Sequence, residues 1–544
     1  MPDPADRPVL PLAAATAAVA ALVAVPATGA PRWLDRLSLL ATGRPLAAAH
    51  AVLLALVFAL VARGVLLRRR AAWYGLLALV SAGLLAVLAG EDAPWRLPPL
   101  VAALAALWTL RDRFTVRPHP KRVRAAVRAG ASLTLAATVL LGGASWLPGV
   151  LGMAGLLVLV GMLLAPAPAP PPGDDAERAL VARLVARSGS DTLAPFALRR
   201  DKTYVFSPDG RAAIGYRVMF GMAVAGGDPV GDPGSREAAV RAFLALCRRT
   251  GWRPAVLGAG TALLPAWAPL RSFGYGDEVV VHPSGFTLAG RPMRNVRQAV
   301  ARTANAGVTS EIVAERDLSP DLRAALLDVA SRSLGGAAER GFSMNLDELL
   351  TGHHPGALVA VAYGPDGPPI AFQRYVTSGR AVSLDAMRRA PGAPNGVNEL
   401  LIVEMIGYAS EHGHDPVSLN FAAFRALLDS RDRSVPQKLG YQALHLLDPL
   451  IAVESLYLFD KKFRPAYEPR SIVFRSWFDI GRLAAALLTL EFAPPRRTGA
   501  PLIAGNVPVH GGTRPAPMAH QRRRGEGDPG RPTPPPRPRH TGPR

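Results

Sequence analysis

The chain has 544 residues, with 62 Lys and Arg against 41 Asp and Glu, a net charge of +21 and a pI near 11.0. This balance points to anionic partners, nucleic acid or acidic lipid, while 49% apolar residues and a mean hydropathy of +0.18 are too high for a purely soluble enzyme of this charge and imply a membrane part. The single cysteine, Cys247, excludes an intramolecular disulfide and a thiolate zinc cluster, and within AFLALCRR it reads as a small buried apolar residue.

The first 170 residues alternate apolar runs with short charged loops. Candidate spans lie near 9–30, 46–67, 71–90, 97–110, 126–146 and 149–167, most of them close to the ~20 residues that cross a bilayer. The fourth is short. A cleaved signal peptide explains one such run, not five or six. Arg63, Arg68, Arg69 and Arg70 separate spans two and three, and Arg111, Arg113, Arg117, Lys121, Arg122 and Arg124 separate spans four and five. The alternate loops carry only Arg32, Arg36, Arg44 and Arg96. The richer set is therefore expected on the cytoplasmic side of a multi-pass plasma-membrane protein, with both termini and the large C-terminal part inside. No span carries a clear mid-membrane charge, so nothing marks an ion pathway.

APAPAPPPGDD (Ala165–Asp175) reads as a semi-rigid Pro-rich linker. Composition then turns globular to about Pro494. From Arg496 onward ten arginines stand against Glu526 and Asp528 among Pro and Gly; this tail cannot bury a core and is expected to be disordered. Clinging to anionic headgroups and simple solvation are both open readings of it.

The globular part repeats itself. KTYVFSPDGRAAIGYRVMF (Lys202–Phe220) and ALVAVAYGPDGPPIAFQRYV (Ala357–Val376) both read as strand, Pro-Asp-Gly turn, strand. GDPVGDP, a helix over SREAAVRAFLALCRRTG and the strand RPAVLG follow the first hairpin. LDAMRR, a helix ending EHG and the strand PVSLN follow the second. Ser235 is placed as an N-cap, and Gly251 and Gly413 as helix stops. Hairpin, helix, strand is the middle of an acetyltransferase-like (GNAT) fold. The expected architecture is an α-helical membrane domain (1–167), a linker (168–175), an α/β (α+β) tandem GNAT-like domain (176–494, copies near 176–310 and 311–494) and a basic tail (495–544).

The richest stretch for chemistry is Ala381–Pro449. AVSLDAM reads as a strand ending on Asp385, with Arg388 and Arg389 just past its end, before a helix in which Glu399, Leu400, Val403 and Ile406 recur at helical spacing. A carboxylate and two guanidiniums at a strand-to-helix corner suit a substrate with both an ammonium and anionic groups; a plain Asp385–Arg388 pair is the structural alternative. No nucleophile elbow, Walker loop, HExxH or CxxC is present. GDPVGDP has two aspartates and no lysine, so a tight turn suits it better than a phosphate cradle. The pyrophosphate loop of coenzyme A-dependent acetyltransferases is also missing, which argues against ordinary acetyl transfer.

YVFSPDGRAAIGYRV, GDPVGDP, MRNVRQAVARTANAG, RGFSMN, FQRYV, SLDAMRR, PNGVNELLIVEMI, SLNFAAFR and LYLFDKKFRPAYEPRSIVF closely resemble the catalytic domain of phosphatidylglycerol lysyltransferases, in the actinobacterial form found elsewhere fused to a lysyl-tRNA synthetase. The resemblance covers about Ala176–Phe492 and implies a tandem GNAT fold behind a membrane segment. It implies transfer of an aminoacyl group, lysyl first, from aminoacyl-tRNA as co-substrate to phosphatidylglycerol or another anionic lipid, with no further cofactor or metal. The product changes envelope charge and resistance to cationic peptides. By resemblance, Asp385 holds the amino-acid ammonium, Arg388 is its partner, and Lys462 lies near the tRNA end or the developing oxyanion. Glu399, Arg389, Arg425 and Arg464 are the substrate-binding candidates on the same blocks. Tyr467 stands where the family has tryptophan and keeps an aromatic platform. No synthetase domain is expected after Phe492, so the tRNA must arrive charged, and about six spans favour synthesis over lipid translocation. Arg291, Arg294, Arg297 and Arg302 fall along one amphipathic helix that either tracks a phosphate backbone or is simply solvated. Aminoacyl transfer to another lipid or cell-wall acceptor, and a non-catalytic membrane-anchored scaffold, are the competing functions.

Overall fold

The computed structural model describes residues 9–28, 31, 34, 36, 37, 39, 48–90, 93–140, 147–335, 345, 346, 348–423 and 458–492. Arg425, most of RGFSMN and the basic tail lie outside the described residues.

Six helices lie over or near the six apolar runs: α1 Leu10–Ala24, α2 Ala48–Leu66, α3 Arg70–Leu88, α4 Leu97–Leu110, α5 Pro120–Leu140 and α6 Leu147–Leu163. Among the described residues, Leu10–Ala27 and Arg70–Leu88 are long and apolar enough to cross a membrane. The expectation of six spans is thus supported for two. With 14 residues α4 is about 21 Å long, too short for the hydrocarbon core, and α5 opens on Lys121, Arg122 and Arg124. The two Arg-rich loops meet: Arg70 N–H donates to Val116 O at 2.8 Å and Val116 N–H to Arg68 O at 3.1 Å.

The Pro-rich linker is not a loose spacer. Ala167 N–H donates to Thr250 O, Trp252 Nε1 to Ala167 O, and Gly173 N–H to Lys202 O, at 3.0, 2.8 and 2.9 Å. It runs into α7 (Asp175–Ala186), which starts on a reciprocal capping box between Asp174 and Glu177.

The soluble half is built on one continuous sheet, with β1 Thr203–Phe206, β2 Ala212–Met219, β3 Met222–Gly226, β4 Val230–Gly231, β5 Arg253–Gly260, β6 Arg271–Val281, β7 Thr309–Ala314, β8 Ala357–Tyr363, β9 Pro369–Ser378, β10 Ala381–Arg389, β11 Val417–Ala423 and β12 Ala466–Phe474. Its order is β1-β2-β3-β5-β12-β6-β11-β10-β9-β8-β7, with β4 on β2. The helices are α8 Arg236–Thr250, α9 Arg294–Asn305, α10 Pro320–Leu334, α11 Val397–Glu411 and α12 Ile480–Phe492.

The predicted repeat is there element by element. β1–β2 and β8–β9 are antiparallel hairpins, β3 and β10 follow antiparallel, and the crossover helices α8 and α11 lead to the parallel partners β5 and β11. The Asp-Gly turns fit because Gly210 and Gly367 take φ of 69° and 94°. Gly251 ends α8 at φ 72° as expected. Ser235 sits at the N-cap position, but its hydroxyl bonds Asp209 Oδ2 at 2.5 Å and caps nothing.

The last strand of each copy crosses to the other. β6 pairs with β11, and β12 pairs with β5, while β6 and β12 pair with each other. The buried ion pair of Arg470 Nε with Glu278 Oε2, at 3.0 Å, bolts this crossing. A break near residue 310 therefore separates the copies in sequence and not in space. Helices cover both faces: α9 and α11 pack with Val382, Leu384 and Tyr375 on one side, and α10 packs with Val359, Val361 and Phe372 on the other.

Candidate active site

Two parallel strands that start paired and then diverge leave a cleft at their carboxyl ends, the usual place for a ligand in an α/β sheet. β10 and β11 pair only at Val382 with Val417 and Ser383 with Ser418. Past that point Asp385 occupies one arm and Asn420 the other, the latter at a φ of 91° that an L-residue adopts only under constraint. Asp385 does not end its strand, as the sequence suggested. The strand runs on to Arg389, and the register slips between Leu384 and Ala386, so Asp385 is a bulge residue turned out of the ladder.

Its partner is also different. The Asp385 and Arg374 side chains are fully buried, and Arg374 Nη1 donates to Asp385 Oδ2 at 2.7 Å. Arg374 also pairs with the equally buried Glu315 through Nε and, at 3.2 Å, through Nη2. Burial alone pulls the Arg374 guanidinium down, but Asp385 and Glu315 outweigh it and hold it above the ordinary arginine range. Leu346 N–H donates to Asp385 Oδ1 at 2.7 Å and Asn345 Nδ2 to Asp385 O at 3.3 Å. The end of RGFSMN thus sits on this carboxylate. Gly352 N–H donates to Glu315 Oε1 at 2.8 Å, and the nearby His354 is pushed down to about 3 by burial and then by Arg374, so it is a neutral imidazole.

Arg388 lies opposite Phe372 and its Nη1 donates to Met387 O at 2.8 Å, while the exposed Arg389 reaches Asn395 Oδ1 at 3.3 Å. Lys462 and Glu399 are brought together at 3.0 Å, with the Lys462 ammonium 4.8 Å from the Phe459 ring centre. Glu399 sits in the first turn of α11, where a carboxylate suits the helix dipole. Gln373 Nε2 donates to Asn398 O at 3.1 Å and Tyr375 Oη to Gln373 Oε1 at 2.7 Å. Gln373 and Tyr375 alternate with Arg374 along β9, so the Glu399–Lys462 pair and the Glu315–Arg374–Asp385 cluster flank opposite faces of that strand. The sequence placed them around one pocket. Arg464 is exposed in a left-handed turn at φ 51°, and Tyr467 packs on the core beside α11.

Glu315, Arg374, His354 and Asp460 escaped the sequence reading. FQRYV and VAERD contain the first two, but nothing local tells a buried ion pair from a solvated strand charge. Asp460 is 1% exposed, and burial pushes its carboxyl well above the carboxylate range.

The corresponding cleft of the first copy is shut. β3 and β5 pair through Gly226 and Leu257, and Asp228 then clamps them by accepting Gly260 N–H at 2.9 Å. GDPVGDP bends at Gly227, φ 96°, and then runs into the short strand β4, whose Gly231 takes φ 110°. Burial and then Asp191 raise Asp228 to about 7. Its folded form holds a proton that the unfolded chain releases near 4, so this group's stability is present at low pH and is lost as pH rises through about 7. His354 acts in the opposite sense, losing stability as pH falls below 6.5 toward 3. Asp228→Asn is expected to shrink the fall in stability between pH 5 and pH 8 by roughly 1–3 kcal/mol, read from urea unfolding of both proteins at the two pH values. Identical differences would show that Asp228 titrates normally.

On α9, Arg294, Arg297 and Arg302 are exposed while Val296, Ala299 and Thr303 are buried, giving a basic outward face. Among the described residues no group of His, Cys, Asp and Glu is placed to hold a metal.

Residues 182–474 match the family described as phosphatidylglycerol lysyltransferase, C-terminal. An MprF-like domain protein of Mycobacterium tuberculosis is 39% identical over 448 residues, covering 79% of this chain and 91% of that protein. The lysylphosphatidylglycerol biosynthesis bifunctional protein LysX of Gordonia bronchialis is 37% identical over 327 residues, covering 58% of this chain and 29% of that protein. A crystal structure of the C-terminal domain of a protein described as a lysylphosphatidylglycerol synthetase, from Agrobacterium fabrum, superposes with a TM-score of 0.52 at 26% identity, covering 59% of this chain and 99% of that one.

Proposed function

This chain belongs to the phosphatidylglycerol lysyltransferase family, and on that premise we propose that it transfers a lysyl group from aminoacyl-tRNA to the headgroup glycerol of phosphatidylglycerol at a membrane surface. The reading rests chiefly on Asp385 standing where β10 and β11 part, inside the matched segment. The lipid hydroxyl attacks the ester carbonyl carbon, the new ester C–O bond forms, and the bond to the tRNA ribose oxygen breaks as that oxygen takes the proton. The ester is already activated, so the protein's task is to position both substrates and to stabilise the developing oxyanion.

In this reading the substrate ammonium meets the Asp385 carboxylate, which Arg374 and Leu346 N–H hold in place. Arg388 supplies positive charge to the anionic end of the substrate, and Lys462, aimed by Glu399 on the other face of β9, is the candidate contact for the tRNA end. The exposed arginines of α9 follow the tRNA phosphates. Arg389, Arg425 and Arg464 are substrate-binding candidates. Lysyl transfer turns a lipid of charge −1 into one of +1, which weakens the attraction of cationic peptides. The paired Arg-rich loops beside the soluble half fit a cytoplasmic placement of that half.

The test is mass spectrometry of lipids made by the purified chain from lysyl-tRNA and phosphatidylglycerol vesicles. A lysylated phosphatidylglycerol is expected; a different modified lipid would redirect the acceptor, and no modified lipid would point to a scaffold. Lys462→Ala is expected to cut the rate about 10- to 100-fold in that assay. Its half-exposed pair with Glu399 is worth at most about 1 kcal/mol, so the thermal midpoint should move by no more than roughly 3 °C. A full-rate variant would remove Lys462 from the site.

A further inference from the structure

The junction between the N-terminal helices and the first copy encloses a cavity of about 300 Å³. Four guanidiniums line it: Arg63 from the last turn of α2, Arg69 from the loop before α3, Arg253 at the start of β5 and Arg482 in α12. Among the described residues one carboxylate answers them, Asp479, which accepts from Arg253 Nη1 at 2.8 Å. Arg69 is only 3% exposed; its Nη1 and Nη2 donate to Ala165 O and Gly251 O at 2.8 and 3.2 Å, and its buried Nε has no partner. Burial, then Arg63, then Arg253 lower this guanidinium to about 10, as expected of cations crowded without a counter-charge. The remaining wall is apolar, with Leu60 and Leu164 from α2 and the end of α6. Gly251 suits this position because its φ of 72° strains an L-residue, and a Cβ there would press on the Arg69 guanidinium.

We propose that this cavity binds the phosphate of an anionic glycerophospholipid, with the diester on the arginines and the acyl chains along Leu60 and Leu164. The inference rests on the membrane placement proposed above and adds a lipid site distinct from the cleft at Asp385. The chemistry is that of any phosphate, since guanidiniums grip its oxygens in pairs. What selects a lipid is location. The cavity lies where α2 and α6 meet the soluble half, beside the loops that carry Arg68, Arg69 and Arg70. An anion there joins the two halves by neutralising charge from both.

The experiment uses the full chain in mild detergent, labelled phosphatidylglycerol and no tRNA, so a failed lipid site and a failed transfer activity are separate results. The Arg63→Gln/Arg482→Gln double variant is expected to bind phosphatidylglycerol roughly 20- to 30-fold more weakly, the effect of two cations at an anionic surface. The Arg113→Gln/Arg124→Gln double variant, with the same net charge but changed at two residues that do not line the cavity, should change binding less than about threefold. Inorganic phosphate at millimolar concentration should not displace the lipid. Equal losses in the two double variants would overturn the proposal in favour of diffuse attraction, and displacement by inorganic phosphate would overturn it in favour of a soluble-anion site. A thermal midpoint matching wild type shows that each variant is folded, which exposed Arg63 and half-buried Arg482 both permit.

Discussion

Cells expressing Asp385→Asn are expected to hold at least about 100-fold less lysylated phosphatidylglycerol than cells expressing wild type, while the protein stays folded. Asparagine keeps the shape of the side chain and an acceptor for Leu346 N–H. It removes the negative charge that, in our reading, faces the substrate ammonium. Loss of a desolvated, hydrogen-bonded charge pair costs roughly 3 kcal/mol or more, and each 1.36 kcal/mol is about tenfold in rate. Among the described residues the buried cluster holds two carboxylates and one guanidinium, and the variant keeps Arg374 paired with Glu315. Lipid mass spectrometry beside a thermal melt separates the two effects. Wild-type lipid levels in the variant, or in Asp385→Ala, would take Asp385 out of the site.

Arg374→Met is expected to be among the most destabilising single changes in the soluble half. It removes the guanidinium that the buried Glu315 and Asp385 carboxylates share, a loss of about 3–5 kcal/mol and a drop of roughly 10 °C in the thermal midpoint. Adding Glu315→Gln and Asp385→Asn to Arg374→Met should recover much of the stability without recovering transfer, because the cost is that of uncompensated charge. A melt within about 2 °C of wild type for Arg374→Met alone would show that the cluster tolerates the loss, through water or protonation.

Several features were readable from order and spacing along the chain. Periodicity placed the strands and crossover helices of both copies, Gly251 and the two Asp-Gly turns announced their own backbone conformations, and the apolar runs located the N-terminal helices. The SLDAMRR block identified Asp385. These are local properties, set by side-chain period and by φ values that few residues accept.

The rest depended on contacts between residues far apart in sequence. Asp385 was expected beside Arg388, three positions on. The bulge at Asp385 and the alternation of β9 instead aim it at Arg374 and Glu315, 11 and 70 positions away in sequence. Exchange of β6 and β12 joins the copies into one sheet, and no repeat pattern reports which copy a final strand will pair with. Burial decided what each charge needs: Asp385 is held by Arg374, while Asp228 accepts Gly260 N–H and is raised to about 7. A sequence lists the charges. Only folding sets the dielectric around each one, and that determines which must be paired, which must hold a proton and which are left to meet a ligand.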